Sequence, residues 1–476
     1  MSYVDLRLLA LAVFPARGVP DKPISHPWSE PLLGLLMGLL GTGQPDFQPI
    51  PADHPDLPDV EVEQGLIAVV GVVHSVSEEG QTHIFKPNDI LAGLVPLRHF
   101  LEMINGVGPA SRTVALHHLY FGKSISLSQM LARLQAARPP DAIDSLSDPG
   151  YHELRCSALL LAGTLQAGVS AMWALTTGFS GPGASYAPLA TNILVSPANT
   201  LPAHMLALLA HDFNLIPVGV AKFTASEMDM GHLPAPHVAP SNASFRQLLL
   251  VSSGSEQEST AAEGALSQAG TPRRVVSPSA LHRHCVDWAD GLGFELVARF
   301  VRAPATRSGS SDVCPLSWHQ AATVVAPMGC VFVGALPHSR LEMAAATAAK
   351  AAGDSPEAFP PGELPRPTLE VLWRKSARVT LADLGHWLDS GAKRGYLLHM
   401  IQAYLDTYSS SLPEAYTGGL GFGAPAAAGG PSVLGLGVAH AGSHLACWHL
   451  SAADIASQSG PLPGALEVLA FGLASG

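Results

Sequence analysis

The chain has 476 residues, 47% of them hydrophobic and 13% charged, with 46 Gly, 40 Pro and a net charge of −12. That is about half the ~25% charge of an ordinary soluble domain. Together with a mean hydropathy of +0.24, it excludes a disordered chain, a coiled coil or a collagen-like fibre. The longest cationic run is Arg273-Arg274, which excludes a protein that grips nucleic acid through many phosphates. So few charges leave two ways to stay dispersed: burial in lipid, or coverage of the surface by copies or partners.

Residues 1–60 are Pro-rich and read as an extended N-terminal arm, with one short apolar helix near 30–40. Residues 8–14 are apolar, but Asp5, Pro15 and Arg17 lack the pattern of a signal peptide. From 61 to 476 we expect one large composite domain. Residues 64–76 are β-branched and predict a buried strand. Asn88 suits an N-cap and predicts a helix to Ile104, followed by helices at 126–137 and 150–177. The stretch 156–179 carries no charge and is long enough to span a bilayer. Its Gln166, Ser170, Thr and Gly residues favour a central helix buried in protein, away from any membrane.

Further along, a helix is expected at 201–212 and a strand at 215–224. Residues 252–280 are small and polar, as in an exposed loop or insertion. Strands are expected at 294–302, 329–336 and 368–373, and helices at 338–352, 381–389 and 392–408. Residues 353–366 and 409–431 are Pro/Gly connectors. No fixed-period repeat occurs. The resulting expectation is an α+β protein, predominantly helical with scattered strands in no βαβ rhythm, elongated around a long buried central helix.

Candidate chemistry is sparse. The cysteines Cys156, Cys285, Cys314, Cys330 and Cys447 are odd in number and widely spaced, as in reduced thiols of a cytosolic protein. His440, His444, Cys447 and His449 form the densest group. On a helix, 440, 444 and 447 would share a face suited to zinc, yet Gly442 and Ser443 weaken that helix. His282, His284 and Cys285, with Asp287 and Asp290, could hold an acid–base group. His117-His118 with Tyr120, and His204 with His211, are further pairs expected to be hydrogen-bonded core residues. The glycine strings at 41–43, 181–183 and 418–423 lack the strand, helix and Lys-Ser/Thr of a phosphate loop. No nucleophile elbow, zincin helix or EF-hand occurs. No catalytic residue, cofactor site or metal set is assigned.

Low Lys/Arg, abundant Ala, Gly, Pro and His, the uncharged stretch 156–179 and the Ala/Gly/Pro tract at 424–431 make the chain resemble the capsid proteins of totivirus-like double-stranded RNA viruses. That resemblance implies a structural capsid protein, found in the virion and the host cytoplasm. Its shell would be of about 120 copies arranged as asymmetric dimers. The shell would enclose RNA through weak, non-specific contacts, together with a viral polymerase, and involve no membrane. Two other functions compete with it. One is a cytosolic enzyme with a His/Cys site near 282–290 or 440–449. The other is a scaffold subunit of a larger complex.

Overall fold

The computed structural model describes residues 3–13, 66–76, 84–104, 113–137, 151–179, 191–198, 201–223, 247–252, 273–276, 278–289, 291–301, 316–335, 366–410, 433–434, 447–449 and 468–472. They fall into two units. The first is built from 1–169, 384–436 and 445–476, and the second from 170–383 and 437–444.

In the first unit, β1 (Tyr3–Val13) lies antiparallel to β2 (Leu66–Val76), which pairs in turn with β3 (Ile90–Pro96). Residues 66–73 of β2 and all of β3 are buried, so these strands read as continuous apolar runs. The helix expected from Asn88 is not there. Asn88 sits in a turn at φ 70°, and Asp89 accepts from the Lys86 amide at 2.9 Å and pairs with Lys123 Nζ at 2.7 Å. Residues 90–96 then find hydrogen-bonding partners on both sides, β2 and β5. That pairing overrides the cap signal, and the helix α1 (Leu97–Ile104) begins only where the strand ends. There follow β4 (Thr113–His117), a 3-10 turn at His118–Tyr120, β5 (Phe121–Lys123) and α2 (Ile125–Ala136).

The uncharged stretch lies in α3 (His152–Phe179). From Leu161 to Leu175 every residue of α3 is buried, including Thr164, Gln166 and Ser170. Among the described residues no helix is long and apolar enough to cross a membrane. Residues up to Val169 count with the first unit and those from Ser170 with the second.

The second unit begins with β6 (Thr191–Ser196), α4 (Leu201–Asp212), β7 (Leu215–Phe223), β8 (Gln247–Ser252) and β9 (Arg273–Val276). It continues with α5 (Pro278–Trp288), β10 (Phe294–Val301), α6 (Trp318–Val324), β11 (Val325–Ala335), α7 (Arg366–Arg374) and β12 (Arg378–Asp383). Residues 253–272 of the expected loop lie outside the described residues, and its 273–276 part is β9. The strand expected at 368–373 is instead helical. Pro367 suits a first helical turn, and Thr368 and Leu372, four apart, are its buried residues. The expected helix at 381–389 is β12 followed by α8 (Leu384–Asp389), which opens the return to the first unit. There α9 (Gly391–Ser410), β13 (Val433–Leu434), β14 (Cys447–His449) and β15 (Val468–Gly472) complete it. The expected helices at 30–40 and 338–352 lie outside the described residues.

The first unit's sheet has eight strands in the order β13-β14-β15-β1-β2-β3-β5, with β4 on the first half of β1. In the second unit, seven strands run in the order β12-β11-β10-β6-β7-β8-β9, and every neighbouring pair is parallel. This corrects the expectation of a helical α+β shell subunit with scattered strands. The second unit is a doubly wound α/β sheet. Parallel pairing needs a crossover for each strand. Crossovers are right-handed, so chain running from β6 to β7 and from β10 to β11, in opposite directions along the sheet, puts α4 on one face and α6 on the other. The face under α5, α6 and α7 is a core of Leu194, Val297, Val331, Leu281 and Ala321, among others. The opposite face stacks Phe300 and Phe332 edge-on, with Trp173 of α3 against Phe332.

Candidate functional site

The histidine groups singled out from the sequence do not assemble a site among the described residues. Cys285, on α5, is fully buried in the core, and burial pushes its thiol up to about 12, so at neutral pH it packs as a protonated thiol. His282 is exposed and its Nδ1 lies 3.2 Å from Thr323 Oγ1. Asp287 makes only a long surface pair with Arg283, at 4.0 Å. Asp290 lies outside the described residues. So do His440 and His444, while Cys447 and His449 are described only as backbone of β14. The side chains of His204 and His211 are likewise outside the described set. No three His, Cys, Asp or Glu residues come together as metal ligands among the described residues.

His117, His118 and Tyr120 do come together, in the first unit. The two imidazoles stack at 4.9 Å, and the His117 ring accepts from the Leu119 amide at 3.2 Å. Tyr120 Oη lies 2.7 Å from His99 Nδ1, under the Arg394 guanidinium at 4.9 Å. Burial foremost, then the charges of His118 and Arg394, hold the His117 pKa below its ordinary value. Each ring here has a hydrogen-bond or packing partner that fixes a turn, so the cluster is structural.

The arrangement with the strongest call on a ligand is in the second unit. Chain order reverses between β6 and β10, which are neighbours in the sheet although three strands separate them in sequence. Their following helices leave on opposite faces, and the place beyond the carboxyl ends of strands at such a reversal is where ligands bind in open α/β sheets. Ser196, the last residue of β6, is the Cα partner of Arg299 on β10. Val333 of β11 flanks Arg299 on the other side. Both neighbours share its face, because paired residues point the same way from a sheet. Arg299 is only 5% exposed, and its Nε and Nη1 are buried without a hydrogen-bond partner. Its guanidinium carbon lies 4.3 Å from the centroid of the Trp318 ring at the start of α6. That helix is held in place by a reciprocal capping box between Ser317 and Gln320. The sequence search passed over Arg299, although a signal was present. It is the one cation in Leu296-Val297-Ala298-Arg299-Phe300, an otherwise apolar run.

Doubly wound sheets of this order often seat a dinucleotide pyrophosphate on the first βα turn, where glycines let the backbone approach and a helix N-terminus offers amides. The residues here do not fit that group. No glycine occurs between Thr191 and His211. The Ala198 amide already donates to the Val220 carbonyl at 2.8 Å. Pro202, in the first turn of α4, has no amide hydrogen to give.

No family model matches the chain, and no curated protein does. Solved structures do resemble it. One is an alcohol dehydrogenase superfamily protein from Novosphingobium aromaticivorans, at 13% identity over 99% of this chain and 92% of that one, with a TM-score of 0.41. A second is a quinone oxidoreductase of Pseudomonas syringae pv. tomato, at 14% identity over 99% and 100%, with a TM-score of 0.36. A third is the CurK enoyl reductase, at 12% identity over 86% and 80%, with a TM-score of 0.38. At these values the likeness assigns no activity and no ligand to this chain. The viral-capsid expectation is nonetheless overturned by the fold itself, because the seven-stranded parallel sheet is not the helical shell subunit that was expected. The shell of asymmetric dimers, the enclosed RNA and the polymerase partner fall with it. Of the two histidine clusters expected to hold an enzyme site, 282–290 assembles none among the described residues, and 440–449 lies largely outside them.

Proposed function

We propose that the chain is an enzyme of the doubly wound α/β kind, working on a small organic molecule held beyond the carboxyl ends of β6 and β10. The observation that carries this reading is the reversal of strand order there, with Ser196 and the buried Arg299 facing each other across the switch. Oxidation or reduction is the reaction class to assay first. It is the class by which the similar structures are called, although their likeness supplies no mechanism. The first βα turn argues against a dinucleotide seated there in the ordinary way.

The test is hydrogen–deuterium exchange on the full chain against a library of small fragments, both neutral and anionic. Binding fragments are expected to protect the ends of β6 and β10 and the first turn of α4. Fragments that protect only the first unit, or the amino ends of the parallel strands, would overturn the reading. A parallel titration with NADPH and NADH should show no saturable protection of residues 196–205. Tight binding there would show that the glycine-free turn accepts a dinucleotide after all.

A further inference from the structure

We propose that Arg299 is an anion-binding residue of the switch-point crevice, receiving a carboxylate or phosphate group of the ligand. The proposal rests on the reading above and names the chemistry of what binds.

A guanidinium presents five N–H donors in a rigid fork and stays charged at all working pH values. Taking such a group out of water is costly unless its donors and charge are matched. Native proteins leave few buried donors unmatched, and each exception calls for an explanation. Arg299 is such an exception, with two of its three nitrogens buried and unpaired. The Trp318 face offsets part of the charge, but a π face on one side leaves the in-plane N–H donors unanswered. Contact with the ring also holds the guanidinium in place, and its rigid fork suits a planar or tetrahedral oxyanion.

Position supports the same conclusion. Arg299 is near the carboxyl end of β10, directly across from Ser196 of β6. The first βα turn, with the Ala198 amide engaged, prolines at 197 and 202 and no glycine, is poorly equipped to hold an anion by backbone alone. Among the described residues of this strand pair, Arg299 carries the only positively charged side chain. A ligand anion there would answer the unpaired donors in a low-dielectric setting, where a charge-assisted bond is strong.

The experiment is thermal unfolding of the full chain and of two variants, Arg299→Met and Arg299→Lys. The probes are sodium pyrophosphate and sodium malonate, with sodium chloride at matched ionic strength as the control. The wild-type melting temperature is expected to rise saturably with one probe, and the better probe assigns phosphate or carboxylate as the recognised group. Arg299→Met removes the unmatched charge at similar volume. Without any probe it should melt at or above the wild-type temperature, and its melting point should no longer respond to the probe. Arg299→Lys keeps the charge but loses the fork, so its apparent affinity should fall about tenfold or more.

Three results would overturn the proposal. One is a wild-type protein that shows no saturable response to either anion. Another is an Arg299→Met protein that responds as the wild type does. The third is an Arg299→Lys protein that binds with unchanged affinity, which decides the matter even if Arg299→Met fails to fold. Neutral fragments protecting the crevice while both anions leave it untouched would sink the role of Arg299 and spare the enzyme reading. Failure of every fragment and anion to protect the crevice would sink both.

Discussion

A Cβ added at Gly168 would lie 2.1 Å from Cε2 of Tyr404, closer than any real contact. Tyr404 cannot easily yield, because its ring is fully buried and its hydroxyl donates to Thr164 Oγ1 at 2.8 Å. Thr164 in turn donates to the Leu161 carbonyl at 3.3 Å, so its buried hydroxyl both accepts from α9 and donates within α3. Glycine at 168 is therefore a packing requirement of the helix pair, which outweighs its ~1 kcal/mol helix penalty. Gly168→Ala should destabilise the first unit by about 1–3 kcal/mol, the usual cost of overpacking, seen as a lower urea midpoint. An unchanged midpoint would mean that Tyr404 has room the geometry denies. His117 supplies a second residue-scale expectation, in pH. Its folded pKa is below the ordinary value, chiefly through burial and then through His118 and Arg394. Above the ordinary histidine value both folded and unfolded chains hold it neutral, and its contribution is in full. As pH falls from that value toward the folded pKa, the unfolded chain takes up the proton first, and stability is lost across that window. His117→Asn keeps an acceptor for the Leu119 amide but does not titrate. Its stability curve should be flatter than the wild type's on the acid side of neutrality, measured by urea unfolding at a series of pH values. Parallel curves would assign the acid loss to other groups.

At the scale of elements, strands buried on both faces announce themselves as apolar runs. The runs Leu296-Val297-Ala298 and Cys330-Val331-Phe332-Val333 were legible for that reason, as were the helices α4 and α9, whereas Ile193-Leu194-Val195 of β6 is too short a run to have been read as a strand. Their partners were not legible, because pairing order is a property of the crossovers and leaves no local mark. Two elements misled for identifiable reasons. Thr368, Val371 and Trp373 favour strands locally, but the spacing of Thr368 and Leu372 puts their burial at a helical period, and tertiary packing decided for the helix. Asn88 offers a sound capping residue, yet the left-handed turn it adopts suits asparagine equally well, and the apolar residues after it belong to a sheet. The low charge, which had suggested a shell covered by its own copies, has a plainer origin. Two sheets with strands buried on both faces, and a helix buried along fifteen consecutive positions from Leu161 to Leu175, consume apolar residues at a rate that surface-lined helices do not. The proposed ligand site was hidden for a related reason. Ser196 carries no mark in its own segment, Arg299 is marked only as the lone cation of an apolar run, and only the parallel register brings the two across from each other.

At the scale of the whole chain, the two units are built differently along the sequence. Every described element of the second sheet lies between Thr191 and Asp383, so that sheet closes without the rest of the chain. The first unit is assembled from both ends. Val13 pairs with Leu469 and Ala10 with Gly472, across almost the full length of the sequence. Gln402 of α9 bonds the Lys123 backbone of β5 through both its amide oxygen and nitrogen, at 3.0 and 3.1 Å. Leu397, Ile401 and Leu405 of the same helix are fully buried or nearly so. Such long-range closure is slow and entropically expensive, and it makes the first unit depend on chain that arrives last. A chain ending at residue 383 should therefore lose amide protection in β1, β2 and β3, whose remaining apolar faces would have no α9 and whose first strand would have no β15. The strands β6, β7, β10 and β11 should keep most of their protection in the same sample. Exchange measured on the truncated and full chains separates these outcomes peptide by peptide. Full protection of β1 to β3 without residues 384–476 would show that the antiparallel sheet stands on its own. Loss of the parallel strands as well would show that the second sheet, although its strands lie in one stretch of sequence, needs residues 384–476 for its stability.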